Sequence, residues 1–242
     1  MNLVIDIGNT RTKLAVFSTA GLLEKWTVQK SEFSTVLTSI KKDFPKIDSC
    51  IVSAVGSTEG LGISVLKEKY NFISLSAKTK VPFTNKYGTP KTLGADRIAL
   101  ISAAAVKYPQ KNVLVIDAGS CVTYDFLDLN NRYLGGAISP GLQMRFNALH
   151  DFTAKLPLLR PKPTIAFLGS TTIAAMHSGV VLGLAKEVAG FVATYAEKYR
   201  HLHVVLTGGD ALFLRDHLKN HIFANLDFLL EGLHYIVEHN KQ

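Results

Sequence analysis

The chain has 242 residues, 47% hydrophobic and 19% charged, with two cysteines and a net charge of +8. That length and composition suit one large or two ordinary globular domains with a substantial core. They exclude a disulfide framework or a cysteine zinc site, and no run is expected to be long and apolar enough to span a bilayer. The excess charge is uneven: residues 1–110 hold 15 Lys and Arg against 8 Asp and Glu, and the remainder holds 12 against 11. The basic residues are scattered, without aromatic interleaving or a recognition motif, which argues against nucleic acid as a partner. Lys78, Lys80, Lys86, Lys91 and Arg97 do gather around one motif, either as a solvated face or as a field that attracts small anions.

In chain order, residues 1–7 and 12–17 read as strands joined by a tight turn at Gly8-Asn9. Met1 leads straight into the first strand, so no signal peptide is expected. Residues 34–44 put Val36, Leu37 and Ile40 on one helical face and stop before Pro45. Residues 47–54 form a short apolar strand, and residues 94–108 an alanine-rich helix ending at Pro109. A linker is expected over residues 109–112. The pattern then restarts, with consecutive strands at 113–117, 122–127 and 132–138 punctuated by Gly135-Gly136 and Pro140-Gly141. Residues 178–199 read as a long helix, with Val181, Leu184, Val188, Phe191, Val192 and Tyr195 at helical spacing. Lys186 and Glu187 interrupt its apolar stretch and mark it as a core helix. A strand at 203–206, a turn at Thr207-Gly208-Gly209-Asp210 and helices from Ala211 and about Leu226 close the chain. Strands first and then helices, in each half, predict an α/β protein with mixed sheets flanked by helices. The expected domains are residues 1–109 and 110–242.

The division rests on a repeat. Leu3-Val4-Ile5-Asp6-Ile7-Gly8-Asn9-Thr10 returns 111 residues later as Leu114-Val115-Ile116-Asp117-Ala118-Gly119-Ser120-Cys121. A hydrophobic strand that runs into Asp-x-Gly and a small polar residue is a device for holding phosphate, because a bend at glycine can aim several N–H groups at one anion. Thr10 and Thr12 add hydroxyls and Lys13 a positive charge. Asp6 repels phosphate directly, so its natural task is to hold Mg²⁺, which bridges phosphate oxygens. Two such motifs suggest two related domains facing one nucleotide. Thr207-Gly208-Gly209 reads either as a place where the chain passes close to a nucleoside or as a plain strand-to-helix turn. Gly94-Ala95-Asp96-Arg97 opens the alanine-rich helix, and a helix N-terminus favours an anion. Asp96 fits two roles: a helix cap, or a general base for a hydroxyl that attacks a phosphoryl group.

Taken together these motifs resemble the type III pantothenate kinase family. The resemblance runs end to end, through Asp6-Ile7-Gly8-Asn9-Thr10 to Lys13, Tyr87, Gly94-Ala95-Asp96-Arg97, Asp117-Ala118-Gly119, Gly135-Gly136-Ala137-Ile138-Ser139-Pro140-Gly141, Thr171-Thr172-Ile173-Ala174-Ala175-Met176 and Thr207-Gly208-Gly209. It implies two ribonuclease-H-like domains of the actin-like ATPase kind, with an ATP cleft between them. It implies that Asp6, Ile7, Gly8, Asn9, Thr10, Arg11, Thr12 and Lys13 form the first ATP loop and that Ser120, where relatives usually have threonine, also touches ATP. Tyr87, Gly94, Ala95, Asp96, Arg97 and Thr172 would bind pantothenate, with Asp96 as catalytic base; Thr171 stands where relatives often have asparagine. Asp117 would hold a monovalent cation, K⁺ or NH₄⁺. The implied protein is a cytoplasmic homodimer that completes its substrate pocket across the subunit interface. It uses ATP and Mg²⁺ and engages neither nucleic acid nor membrane. Another small-molecule kinase or phosphohydrolase on the same scaffold is the alternative. A non-catalytic ATP-binding regulator should carry an added DNA-binding or partner module, and none is visible in the sequence.

Overall fold

The structure is a computed structural model that describes residues 1–8, 11–54, 58, 60–218 and 222–241. The chain separates into two compact units, Met1–Pro109 with Asp227–Gln242, and Gln110–Leu226.

In the first unit the strands are β1 (Asn2–Ile7), β2 (Thr12–Ser18), β3 (Gly21–Val28), β4 (Ser49–Ala54), β5 (Asn71–Ser74) and the short β6 (Thr84–Asn85). Its helices are α1 (Phe33–Asp43), α2 (Ile63–Lys69) and α3 (Ala95–Lys107). The sheet runs β3-β2-β1-β4-β5. β1 pairs antiparallel with β2 and parallel with β4. Leu3, Val4 and Ile5 are wholly buried, so β1 is an unbroken apolar run, as a strand covered on both faces must be. α1 turns Phe33, Leu37 and Ile40 into the same core.

The second unit repeats the plan with β7 (Asn112–Ala118), β8 (Cys121–Leu127), β9 (Arg132–Pro140), α4 (Leu142–Asp151), α5 (Thr172–His177), α6 (Gly183–Lys198), β10 (Leu202–Thr207), α7 (Ala211–Arg215) and β11 (Phe223–Ala224). Its strands run β11-β10-β7-β8-β9, with β7 antiparallel to β8 and parallel to β10. The order and directions match the first sheet strand for strand, β7 standing for β1 and β10 for β4. The sequence repeat is therefore a repeat of topology.

Several elements differ from the sequence reading, which also lacked α2, β5, β6, α4 and β11. β3 is absent from it because this edge strand is mostly exposed and lacks an alternating apolar pattern. The long helix begins earlier, at Thr172, and reaches Lys198 through a π-helical turn at Ser178–Leu182. By length and composition Thr172–Lys198 is long and apolar enough to cross a membrane, contrary to expectation. Its apolar stripe of Val180, Val181, Leu184, Val188 and Val192 instead packs into the core of the second unit. Finally, α8 (Phe228–Lys241) was expected in a second domain of residues 110–242, but it packs on α3 and β1 of the first unit. Asn2 Nδ2 donates to His234 (2.9 Å) and to Glu238 (2.6 Å), and Lys241 donates to Asn2 Oδ1 at 2.7 Å. The last helix is thus tied to the first strand.

Gly232 is the closest point of the α3–α8 contact: a Cβ there would fall 1.9 Å from the Ala99 carbonyl oxygen. Gly232→Ala should lower stability by about 1–3 kcal/mol through overpacking. Gly190→Ala, in α6 with nothing within 4 Å of the new carbon, should raise it by up to about 1 kcal/mol through helix propensity. Urea unfolding of the two variants measures the contrast.

Candidate active site

The carboxyl end of β1 carries the first cluster. Asp6 is in register with Lys13 on β2 and with Ser53 on β4. It is 8% exposed, and its Oδ1 has no hydrogen-bond partner among the described residues; nor do Thr12 Oγ1 and Ser53 Oγ. Burial pushes the Asp6 carboxyl up to about 6; Lys13 and the nearby Ser53 hydroxyl pull it down, and Asp96 pushes it up again. The bend beyond is closed by Gly8 N–H donating to Arg11 O at 3.1 Å. Ile7 and Thr12 are buried, so they shape the turn from beneath, while Arg11 is exposed. Asn9 and Thr10 lie outside the described residues.

The start of α3 belongs to the same unit, and the charge of Asp96 is felt at Asp6. Gly94, not Asp96, is the N-cap residue, and it offers no side-chain cap. Asp96 is the second helical residue and accepts the Arg97 N–H at 2.8 Å through Oδ1. A Cβ on Gly94 would stand 2.4 Å from that oxygen, so glycine here leaves room for the carboxylate to fold back over the helix end. Arg97 is buried, and its guanidinium carbon lies 5.4 Å from the Tyr87 ring centre. Tyr87 thereby meets the Gly94-Ala95-Asp96-Arg97 segment through Arg97.

In the second unit Asp117 holds the place of Asp6, between Thr123 on β8 and Thr207 on β10. Thr207 matches Ser53, but Thr123 stands where the first copy has Lys13. The bend is also shorter: Gly119 N–H donates to Cys121 O at 3.0 Å. Gly208 has φ +99°, and a Cβ there would lie 2.3 Å from Asp117 Oδ1 and 2.4 Å from Ala118 O. The Asp210 N–H donates to Ala118 O at 2.9 Å, so the Thr207-Gly208-Gly209-Asp210 turn wraps the end of β7. Ser120 is exposed at the tip of the bend.

Thr172 opens α5 and is exposed, whereas the hydroxyl of Thr171 is engaged as the helix cap, accepting the Ala174 N–H at 3.2 Å. The run before them is pinned by Gln143 on Leu159 O (3.0 Å), His177 on Arg160 O (3.0 Å) and Ser178 on Phe167 O (2.6 Å). Among the described residues no group of three or more His, Cys, Asp or Glu is placed to hold a metal. Sequence reasoning passed over Ser53 and took Thr207 only as part of a glycine turn. Aligning Val52-Ser53 with Leu206-Thr207, each a buried apolar residue followed by a hydroxyl in register with an aspartate, would have paired them.

The family model for type III pantothenate kinase matches residues 2–194. The chain belongs to the type III pantothenate kinase family. A family member from Christiangramia forsetii is 48% identical over 241 residues, covering 100% of this chain and 99% of that protein. One from Flavobacterium johnsoniae is 45% identical over 96% of each chain. Among solved structures, a protein from Campylobacter jejuni assigned to a Baf family of transcriptional activators superposes with a TM-score of 0.65 at 25% identity, covering 99% of this chain and 98% of that one. A Clostridium difficile activator of 2-hydroxyisocaproyl-CoA dehydratase, solved with bound ADPNP, gives 0.56 at 14% identity, over 99% and 96%, and shares the fold.

As a type III pantothenate kinase the protein transfers a phosphoryl group from ATP to pantothenate in coenzyme A synthesis. Asp6 shows what a buried carboxylate costs the fold. Its folded value of about 6 lies above the ordinary 3.8, so the folded state holds the proton more tightly than the unfolded chain. Stability from this group is present below pH 4 and is lost as pH rises to 6, by about 3 kcal/mol. Asp6→Asn should remove the penalty. In the ligand-free protein its melting temperature should exceed that of the parent at pH 7, with the gap closing as pH falls toward 4. Thermal melts across that range measure it.

Proposed function

We propose that the kinase reaction is carried by Asp96 as general base, with pantothenate bound by Tyr87, Gly94, Ala95, Arg97 and Thr172. The observation that carries this reading is that one unit holds the Asp96 carboxylate, whose charge reaches the buried Asp6, next to the Arg97–Tyr87 pair. Asp96 takes the proton of the substrate hydroxyl as it attacks phosphorus. Arg97, always cationic, pairs with the substrate carboxylate or the transferring group, and the Tyr87 ring holds its plane. Lys13 adds positive charge opposite Asp6, and the turn from Gly8 to Thr12 receives ATP phosphates, as does Ser120. Most of the rate arises from positioning and electrostatics.

Asp6 fits Mg²⁺: it is a buried carboxylate with an oxygen left over, a hard donor of the kind the ion prefers. When bound, the ion neutralises phosphate charge. Asp117 fits a monovalent cation, K⁺ or NH₄⁺, because its Oδ1 and the Ala118 carbonyl converge on the space that Gly208 leaves open. The exposed apolar residues Phe152, Phe167 (79% exposed) and Leu168 (82% exposed), in the run before Thr172, support a homodimer in which this surface meets a second copy. Two free cysteines agree with a cytoplasmic enzyme.

Asp96→Asn is expected to cut kcat by about 10²–10⁴ without changing the melting temperature, in a coupled ADP-release assay against a panel of hydroxy acids. Near-normal turnover in that variant removes Asp96 from the base role. ATP binding without turnover on any acid would favour a regulator. Phe167→Asp with Leu168→Asp should shift the protein toward monomer by light scattering and raise KM for pantothenate.

A further inference from the structure

Behind the second nucleotide turn lies an ion pair that none of the assigned roles uses. Gly141 follows β9 and packs against the turn: a Cβ on it would fall 2.3 Å from both the Gly119 and the Ser120 carbonyl oxygens. Its N–H donates to Ser120 O at 3.2 Å. The height and tilt of Ser120 are therefore set by where Ser139, Pro140 and Gly141 stand. Arg145, one turn into α4, fixes all three. Its Nε donates to Pro140 O at 2.8 Å, its Nη2 donates to Ser139 Oγ at 2.8 Å, and its backbone N–H donates to Gly141 O at 3.1 Å. The same Nη2 is paired with Glu187 Oε2 on α6 at 2.5 Å. Glu187 is itself anchored, since its Oε1 accepts the hydroxyl of the wholly buried Tyr124 at 2.9 Å.

We propose that Arg145, held by Glu187, is a positioning residue for ATP: it fixes the Ser139-Pro140-Gly141 turn, which in turn seats Ser120. The inference rests on the reading that Ser120 contacts the nucleotide. It requires arginine specifically. A planar fork reaches the Pro140 carbonyl with one nitrogen while another serves Ser139 and Glu187, and a lysine ammonium cannot span those acceptors with fixed direction. A bond that only fastened α6 to the sheet would end at Glu187. Here the chain of contacts continues through Gly141 to the exposed serine.

The experiment is steady-state kinetics and ATP titration calorimetry on the full-length enzyme and on Arg145→Lys, Ser139→Ala and Ser120→Ala. Arg145→Lys should raise KM for ATP about tenfold, leaving KM for pantothenate and the melting temperature near their parent values. Ser139→Ala, which removes the hydroxyl that meets both Arg145 and Glu187 but keeps the ion pair, should shift KM for ATP in the same direction by a smaller factor. The double variant of Ser120→Ala with Arg145→Lys should cost less than the product of the two single effects, because both act through one contact. Equal rises in both KM values with a fall in melting temperature would show a merely structural ion pair and overturn the inference. If Ser120→Ala weakens ATP and the two Arg145-network variants do not, the inference fails alone. If Ser120→Ala leaves ATP binding unchanged, the nucleotide reading of Ser120 fails first.

Discussion

A carboxylate at the end of a fully covered strand is the constraint on which the first unit depends. β1 is sealed on both faces by apolar side chains and on both edges by β2 and β4. Only its carboxyl end is open to chemistry, and the residue there is Asp6. Leaving a negative charge 8% exposed opposes folding, and the fold meets that opposition only in part, with Lys13 across one edge and a hydroxyl across the other. The remainder is a standing preference for a cation or a proton at that point. A cation at that point would offset the cost of the buried charge.

The two units show how one plan can be put to unequal uses. Strand order, strand direction and the aspartate–glycine step are the same in both sheets. The differences are local. Lys13 has Thr123 as its counterpart, the second bend is shorter, and the Gly208-Gly209 turn after β10 folds over the end of β7. A buried aspartate facing a lysine and a half-buried one facing threonines and backbone carbonyls present different donor sets. Their divergence follows from neighbours supplied by other strands, not from the repeated motif itself.

Helix packing has a corresponding asymmetry. α8 ends the chain but joins the sheet with which the chain began, through its contact with α3 at Gly232 and through Asn2, His234, Glu238 and Lys241. The amide of Asn2 has one orientation that serves all three partners, since reversing it would face donor to the Lys241 ammonium and acceptor to the Glu238 carboxylate.

The central strands, the alanine-rich helix and the aspartate–glycine bends were legible in the chain, because each depends on local pattern: apolar runs, helical spacing, paired glycines. Tyr87 and the Gly94-Ala95-Asp96-Arg97 start were grouped as one substrate site through resemblance alone, and the structure adds the contact between Arg97 and the Tyr87 ring. β3 was not legible, because an exposed edge strand has no apolar pattern to read, and neither was the adherence of α8 to the first unit. The hydroxyl of Thr171 could be assigned to the helix cap only once the start of α5 was known. The Arg145–Glu187 pair joins residues 42 positions apart, and no local rule relates them. By itself the sequence determined which residues can do the chemistry, since that follows from side-chain type and short-range spacing. Which of them are buried, opposed or braced was decided only by the tertiary structure, because burial and register depend on strands and helices far away along the chain.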